Sequence, residues 1–239
     1  SDLTKSRNLA GFLQSEFSRV SARVAETICE NAGLSPKAHP NRISRGDVEH
    51  LMDGIEQTRI MNPPTNCVAP IGEEQLQKGL ESVVPADFYA STTRPPAVYR
   101  GNPFIIEAAL AYGGEHMDGD SPARLLRLAN RVPLLYQQGG CCAFTSSVDV
   151  NWRTYGLQQP RGGLPVGPLT LVLHMASVWV PFTSESKEAI AEYPEIQEQM
   201  LRAFQECGRK LKLFLSKRRR RMEAERKRNY IETYIPHIG

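Results

Sequence analysis

Six apolar residues near the carboxy-terminal end, Ile196, Met200, Phe204, Cys207, Leu211 and Leu215, follow one another at intervals of 4, 4, 3, 4 and 4. That spacing is one face of an α-helix held for about five turns. The stripe stops at Leu215, where a basic run begins. Pro194 suits the first turn of such a helix. Continued to Ile235, the helix would be roughly 60 Å long at 1.5 Å per residue. A domain of ~150 residues is only about 30 Å across. The first half of this helix is therefore expected to be core. The second half should protrude as a lever, a strut or a docking element.

The charge follows the same division. Residues 209–228 hold eleven Lys or Arg and two acids, a net +9, whereas the whole chain of 239 residues carries +3, which leaves −6 on the remainder. A mildly acidic body with one strongly basic element attracts polyanions or acidic partner surfaces. The plainer alternative is a solvated helix whose charges only give solubility. Hydrophobic residues make up 41% and charged residues 23%, the proportions of an ordinary globular chain. No apolar run reaches the 18 residues that a membrane span needs, so no membrane partner is expected. Ser1 to Lys5 lacks the apolar core of a signal peptide. The five cysteines, at 29, 67, 141, 142 and 207, are odd in number and show no CxxC spacing. Neither a disulfide framework nor a zinc site is indicated, and a reducing compartment is expected.

Residues 1–82 read as a compact module of short helices. Leu9, Phe12, Leu13, Phe17 and Val20 recur at helical spacing, and Val20, Val24 and Ile28 form a second pattern that Gly33 closes. Ser44 and Asp47 resemble a capping box opening a helix to about Gln57. Asn62-Pro63-Pro64-Thr65-Asn66 is a turn, and Gly72 to Leu80 one more short helix. From residue 83 the composition changes. Asp87 to Thr93 and Phe104 to Tyr112 read as strands, separated by Arg94-Pro95-Pro96. A loop rich in Asp and Gly spans 115–122. Arg124 to Arg131 is a third strand, although its Ala and Leu content permits helix. Gly139 to Val148 reads as a small helix packed on the sheet. Leu169 to Val180 suits a central strand buried on both faces. From Ser184 helix is expected nearly to the end.

Several stretches resemble the B subunit of DNA topoisomerase VI. They are residues 104–113 (FIIEAALAYG), 128–139 (LANRVPLLYQQG), 176–190 (ASVWVPFTSESKEAI) and 205–211 (QECGRKL), with 15–20 (SEFSRV) and 61–67 (MNPPTNC) in the helical part. The resemblance runs essentially from end to end. It implies an α+β fold: a helix-two-turn-helix module over 1–82, then a transducer over 83–239. The transducer would resemble the second domain of ribosomal protein S-five, a four-stranded sheet with helices on one face. The long basic helix at about 194–235 would end it. The family's nucleotide-binding domain, related to those of gyrase and MutL, has no counterpart here, since neither a DxGxG motif nor a glycine-rich lid occurs. ATP and Mg²⁺ are thus expected of the full-length protein, and neither of this chain alone. The implied role couples ATP use in that domain to opening of a DNA gate in the partner A subunit, for relaxation or decatenation by double-strand passage. The implied assembly is a heterotetramer of two A and two B subunits on double-stranded DNA. Its location would be cytoplasmic in an archaeon or nuclear in a eukaryote. This chain alone is expected to be a monomer. Two other readings stay open: a scaffold without ATPase activity for a DNA-cleaving subunit, and a stand-alone DNA-binding module.

Residue roles follow the same two sources. By residue type Lys187, between Glu185 and Glu188, is a surface lysine at the expected start of a helix. The resemblance implies a cation that reaches the γ-phosphate of ATP. Such a contact is lost on hydrolysis and makes domain orientation depend on the nucleotide. Trp152, Arg153 and Tyr155 combine stacking surface with a charge and either face DNA or pack beneath the sheet. Arg19, Arg23, Arg42 and Arg45 are the DNA-contact candidates of the helical module, among Glu16, Glu26 and Asp47. On the basic helix, Arg209, Lys210, Lys212, Lys217, Arg218, Arg219, Arg220 and Arg221 suit DNA or acids on the A subunit. The resemblance favours a structural lever with secondary attraction to DNA. His174 reads as a satisfied core histidine, and Cys141 and Cys142 as core packing. No catalytic set and no metal ligands are expected in this chain.

Overall fold

The computed structural model describes residues 6–17, 19–60, 65–114 and 118–234, with side chains through residue 231. The turn expected at 62–64, the head of the loop expected at 115–122 and the helix end expected at 235 lie outside the described residues. The chain forms two compact units, Ser1–Pro64 and Thr65–Gly239.

The first unit is helical: α1 (Leu9–Glu16), α2 (Ala22–Asn31) and α3 (Arg45–Gln57). Each helix starts where a short polar side chain captures a free N–H. Asn8 caps α1, Ser21 caps α2, and Ser44 with Asp47 forms the expected capping box of α3. Leu9, Leu13, Ala25, Ile28, Cys29 and Leu51 form the core. The periodicity through Phe17 and Val20 runs past the end of a helix. Here α1 ends at Glu16 and Arg19 takes a left-handed φ of 64°. Helices α2 and α3 touch at Gly54. A Cβ there would lie 2.7 Å from the carbonyl oxygen of Ile28 and 2.9 Å from the nitrogen of Ala32. Gly→Ala inside a helix ordinarily stabilises by about 0.5–1 kcal/mol. Gly54→Ala is expected to do the reverse, at a cost of about 1–3 kcal/mol from overpacking against backbone. Thermal unfolding of the helical unit checks this.

The second unit opens with α4 (Glu73–Val83), followed by β1 (Phe88–Thr93), β2 (Ala97–Tyr99), β3 (Asn102–Tyr112), β4 (Arg124–Ala129) and β5 (Val132–Pro133). Then come α5 (Cys142–Asp149), β6 (Leu169–Ser177) and α6 (Pro194–Tyr234). The strand order is β1-β3-β6-β4-β5, with β2 also on β3. Among the described strands only the β4–β6 pair is parallel. The fold is α+β as expected, but the sheet has six strands rather than four. Pairing resumes after the break at Arg94–Pro96 to give β2, and β4 turns back through Asn130 and Arg131 to give β5. Both turn residues are left-handed, as a two-residue hairpin requires.

Helices also cover both faces of this sheet rather than one. Ala108 and Leu110 join the core that α5 and α6 contribute to. Their neighbours Ala109 and Ala111, with Val172 of β6, point the other way and meet Leu76 and Leu80 of α4. All nine residues of β6 are buried, as expected of a strand covered on both sides. Helix α4, grouped with the helical module in the sequence reading, is thus part of the second unit.

The stripe on α6 behaves as its spacing predicts. Ile196, Met200, Phe204, Cys207 and Leu211 are each 0% exposed. Each such burial contributes about 1.5–3 kcal/mol. From residue 216 to 231 every side chain is exposed. The helix has 41 residues, about 60 Å. It starts at Pro194 and not at Ser184. Residues 184–193 form a loop, and its Ile190 pairs with the preceding Phe182 as a short antiparallel bridge.

Candidate functional site

Two features of the second unit gather the residues singled out from the sequence. The first is a cleft of about 680 Å³ between α6 and the 3-10 turn Trp152–Tyr155. The turn is fastened from below. Trp152 is fully buried, its indole N–H donates to the Ser147 carbonyl at 2.8 Å, and its ring meets Phe204 edge-on at 5.9 Å. Tyr155 lies against Gly208 of α6, where a Cβ would come within 2.6 Å of its ring. The Gln159 amide bonds Trp152 N, Val148 O and Gly163 O and so holds the following loop. Trp152 is therefore structural and offers no face to a base, the packing alternative of the two read from sequence. Arg153 is exposed, with its guanidinium directed by the Gln159 carbonyl at 2.5 and 3.1 Å.

The opposite wall is the outer half of α6. Lys212, Arg218, Arg219 and Arg226 line it with Leu215 and Met222, and Glu223 is the one acid in the lining. Lys212, Arg219 and Arg226 stand seven residues apart, about 10.5 Å per step along one side of the helix. Five cations against one carboxylate give this cleft a net positive field, which attracts polyanions. The rest of the basic run is distributed differently. Lys210 turns to the body and donates to Glu73 at 2.7 Å and to the Ser91 carbonyl at 2.6 Å, so it fastens α6 rather than reaching outward. Glu206 does the same from its side of the helix, through Arg94 and Thr92. Arg218 also pairs with Asp87 at 3.3 Å. Arg209, Lys217, Arg220 and Arg221 are exposed outside the cleft lining.

The second feature is the loop that carries Lys187. Its stem is closed by Thr183 N–H to Ala189 O at 2.9 Å and Ala191 N–H to Pro181 O at 2.7 Å. A turn at its tip is closed by Lys187 N–H to Ser184 O at 3.1 Å. Ala189 and Ile190 are buried, and Ile190 O accepts from Cys142 N at 2.8 Å. Lys187 itself is exposed with φ at 55°. A non-glycine residue in that region carries roughly 1–3 kcal/mol of strain. It is not at a helix start. It is a cation held out on a loop with both ends rooted in the core. The exposed Ser184 and Ser186 hydroxyls, 2.7 Å apart, share the tip.

Arg19, Arg23, Arg42 and Arg45 are each exposed on the helical unit. Cys141 and Cys142 are core residues, and burial pushes the Cys142 thiol up to about 11 and that of Cys207 to about 12, which leaves them inert thiols. His174 is a satisfied core residue as expected, but its partner, Glu107, carries no signal in the sequence. Glu107 sits mid-strand in an apolar run, where only the strand register reveals that it faces His174. Burial alone would raise its carboxyl. Hydrogen bonds from His174, Ile71, Thr93 and Gly72 outweigh that and hold it below the ordinary range. Among the described residues no helix is long and apolar enough to cross a membrane.

A family model described as the topoisomerase VI B subunit transducer matches residues 63–227. The B subunit of type 2 DNA topoisomerase 6 from Methanosarcina mazei is 45% identical over 236 residues, 99% of this chain and 38% of its own length. That of Methanococcoides burtonii is 47% identical over 214 residues, 90% of this chain and 34% of its own. The Archaeoglobus fulgidus protein of the same name is 41% identical over 236 residues, 99% and 39% respectively. The chain thus spans little more than a third of the length of these curated relatives. Among solved structures, the B subunit of DNA gyrase from Myxococcus xanthus overlaps 54% of this chain at a TM-score of 0.37 and 19% identity, too loosely to bear on function.

Proposed function

The chain belongs to the topoisomerase VI B-subunit family, and on that premise we propose that it is the segment coupling nucleotide state to a DNA gate in the partner A subunit. The observation that carries this reading is the continuity of α6. One helix buries its apolar stripe from Ile196 to Leu211 in the core and then runs on as an exposed cationic arm. A rotation of the body carries such an element with it, because the helix is continuous from Pro194 to Tyr234. The arm leads to the A subunit, in a complex of two A and two B subunits. The cleft beside Arg153 takes the phosphates of duplex DNA. Lys187 meets the γ-phosphate of ATP held by the remainder of the full-length protein.

The residues present fit only part of a nucleotide site. The Lys187 loop supplies one cation and two hydroxyls for a phosphate end. ATP with its Mg²⁺, held elsewhere in the full-length protein, would supply the phosphate whose loss frees Lys187. This chain only binds or releases that phosphate. The carboxylates and thiols near the loop form no cluster of three among the described residues that could hold a metal.

The DNA role of the cleft is tested by salt. Each Lys or Arg contact with duplex phosphates contributes about −0.9 to the slope of log K against log salt. The isolated chain is expected to bind duplex weakly at physiological salt, in the nonspecific range of roughly 10⁻⁴–10⁻⁶ M. Replacing Lys212, Arg219 and Arg226 together by Ala should flatten the slope by about 2.7. Fluorescence anisotropy at several salt concentrations reads this directly. An unchanged slope would move DNA away from the cleft, and nanomolar binding at physiological salt would favour a stand-alone DNA-binding module.

A further inference from the structure

Three segments distant in sequence meet at one buried carboxylate. Glu107 of β3 and His174 of β6 are cross-strand partners, each 0% exposed, on the face that α4 covers. The Glu107 Oε2 atom lies 2.7 Å from His174 Nδ1 and accepts the Ile71 N–H at 2.7 Å. Its Oε1 accepts the Gly72 N–H at 2.7 Å and the Thr93 hydroxyl at 2.8 Å. On the far side of the ring, His174 Nε2 accepts the Arg131 N–H at 3.0 Å. That bond fixes the tautomer: Nε2 is the acceptor, so Nδ1 carries the proton and donates to Glu107. The Arg131 guanidinium then reaches back to the Pro70 carbonyl at 3.2 Å and closes the ring of contacts.

Each end of this relay leads to something outside it. Residues 70–72 follow the helical unit in sequence and set the start of α4, with Gly72 at φ 93°. Asn130, beside Arg131 in the β4–β5 turn, grips the end of β6 twice. Its Nδ2 donates to Ser177 O, and its Oδ1 accepts from Ser177 N, both at 2.9 Å. The chain leaving Ser177 runs directly into the stem of the Lys187 loop. Glu107 and His174 are the buried centre of this network, and the loss of either leaves the other unsatisfied in a low-dielectric site.

We propose that Glu107 and His174 are a buried latch that makes the Pro70–Gly72 connector and the end of the sheet from which the Lys187 loop springs open and close as one unit. Glu107 and His174 act here as positioning residues. The latch is a property of the packing and does not depend on what Lys187 or the cleft binds.

Amide hydrogen exchange in the whole chain, with neither nucleotide nor DNA present, tests it. Asn130→Gly keeps the left-handed turn and removes only the grip on Ser177. Neither Ile71 nor Gly72 bonds to Asn130, yet their amides should exchange about tenfold faster together with that of Arg131, the size expected for roughly one net hydrogen bond. The amides of Ala109 and Leu171, in the centre of the sheet, should not change. Glu107→Gln, read at the Arg131 amide that Glu107 does not touch, should give the same acceleration. Faster exchange confined to Arg131 in the first variant, or to Ile71 and Gly72 in the second, would overturn the latch. So would an equal rise at Ala109 and Leu171, which would make the pair a part of global stability. If the Gln variant does not fold, Asn130→Gly decides alone.

Discussion

Trp152→Ala is expected to destabilise the second unit by about 3–5 kcal/mol, the range for emptying a buried aromatic site. The indole is the largest fully buried side chain, wedged between the 3-10 turn and Phe204 of α6. Its removal opens a cavity under one wall of the cleft and orphans the Ser147 carbonyl that it bonds. Trp152→Phe keeps most of the ring but not the N–H, and should cost less, about 1–3 kcal/mol. Arg153→Ala, one residue along and exposed, should stay within about 0.5 kcal/mol of the parent while weakening DNA binding. Denaturant unfolding of the second unit separates these outcomes. Were Trp152 instead a stacking platform for DNA, its replacement would leave the unfolding midpoint where it was and reduce only the affinity.

The same residue shows what the sequence could and could not yield. An aromatic-basic-aromatic cluster reads equally well as a DNA loop or as packing, because residue type does not say which way a side chain points. The turn resolves this by sending Trp152 inward and Arg153 outward within two residues. The stripe on α6 was fully legible, since its 3.6-residue period has one structural solution at that length. The capping box at Ser44 was legible for the same reason: the hydrogen-bond demand of a helix start is local. Covering of the second sheet face by α4 was not, because Leu76 and Leu80 look like any amphipathic helix until the sheet that meets them is known. Lys210 stood in the basic run as one of many cations, and only the nearness of Glu73 and Ser91 marks it as a fastening. Glu107 was invisible because a buried charge makes sense only through its partners, which come from residues 71, 72, 93 and 174.

The largest functional effect is expected at Lys187. In a B subunit of the full length its relatives have, Lys187→Ala should lower ATP-dependent strand passage on the order of 10- to 100-fold, which corresponds to one charge-assisted hydrogen bond. Folding should not change. The side chain is exposed, and the loop is held by the backbone bonds of its stem and by buried Ala189 and Ile190. Lys187→Arg should recover part of the activity, since the charge remains while its geometry differs. Binding of the nucleotide should weaken much less than strand passage. In the proposed reading the contact comes from a second body, so its loss would uncouple that body more than it would empty the nucleotide site.

The most direct measurement places one dye at Ser216→Cys, on the exposed part of α6, and a second in the nucleotide-binding part of such a full-length protein. Energy transfer is then recorded with and without a non-hydrolysable ATP analogue. The account predicts a change in distance on adding the analogue to the parent and none in Lys187→Ala, although the analogue still binds. The same change in both proteins would contradict it: the arm would then follow the nucleotide without Lys187, and this chain would not be the sensor that couples them.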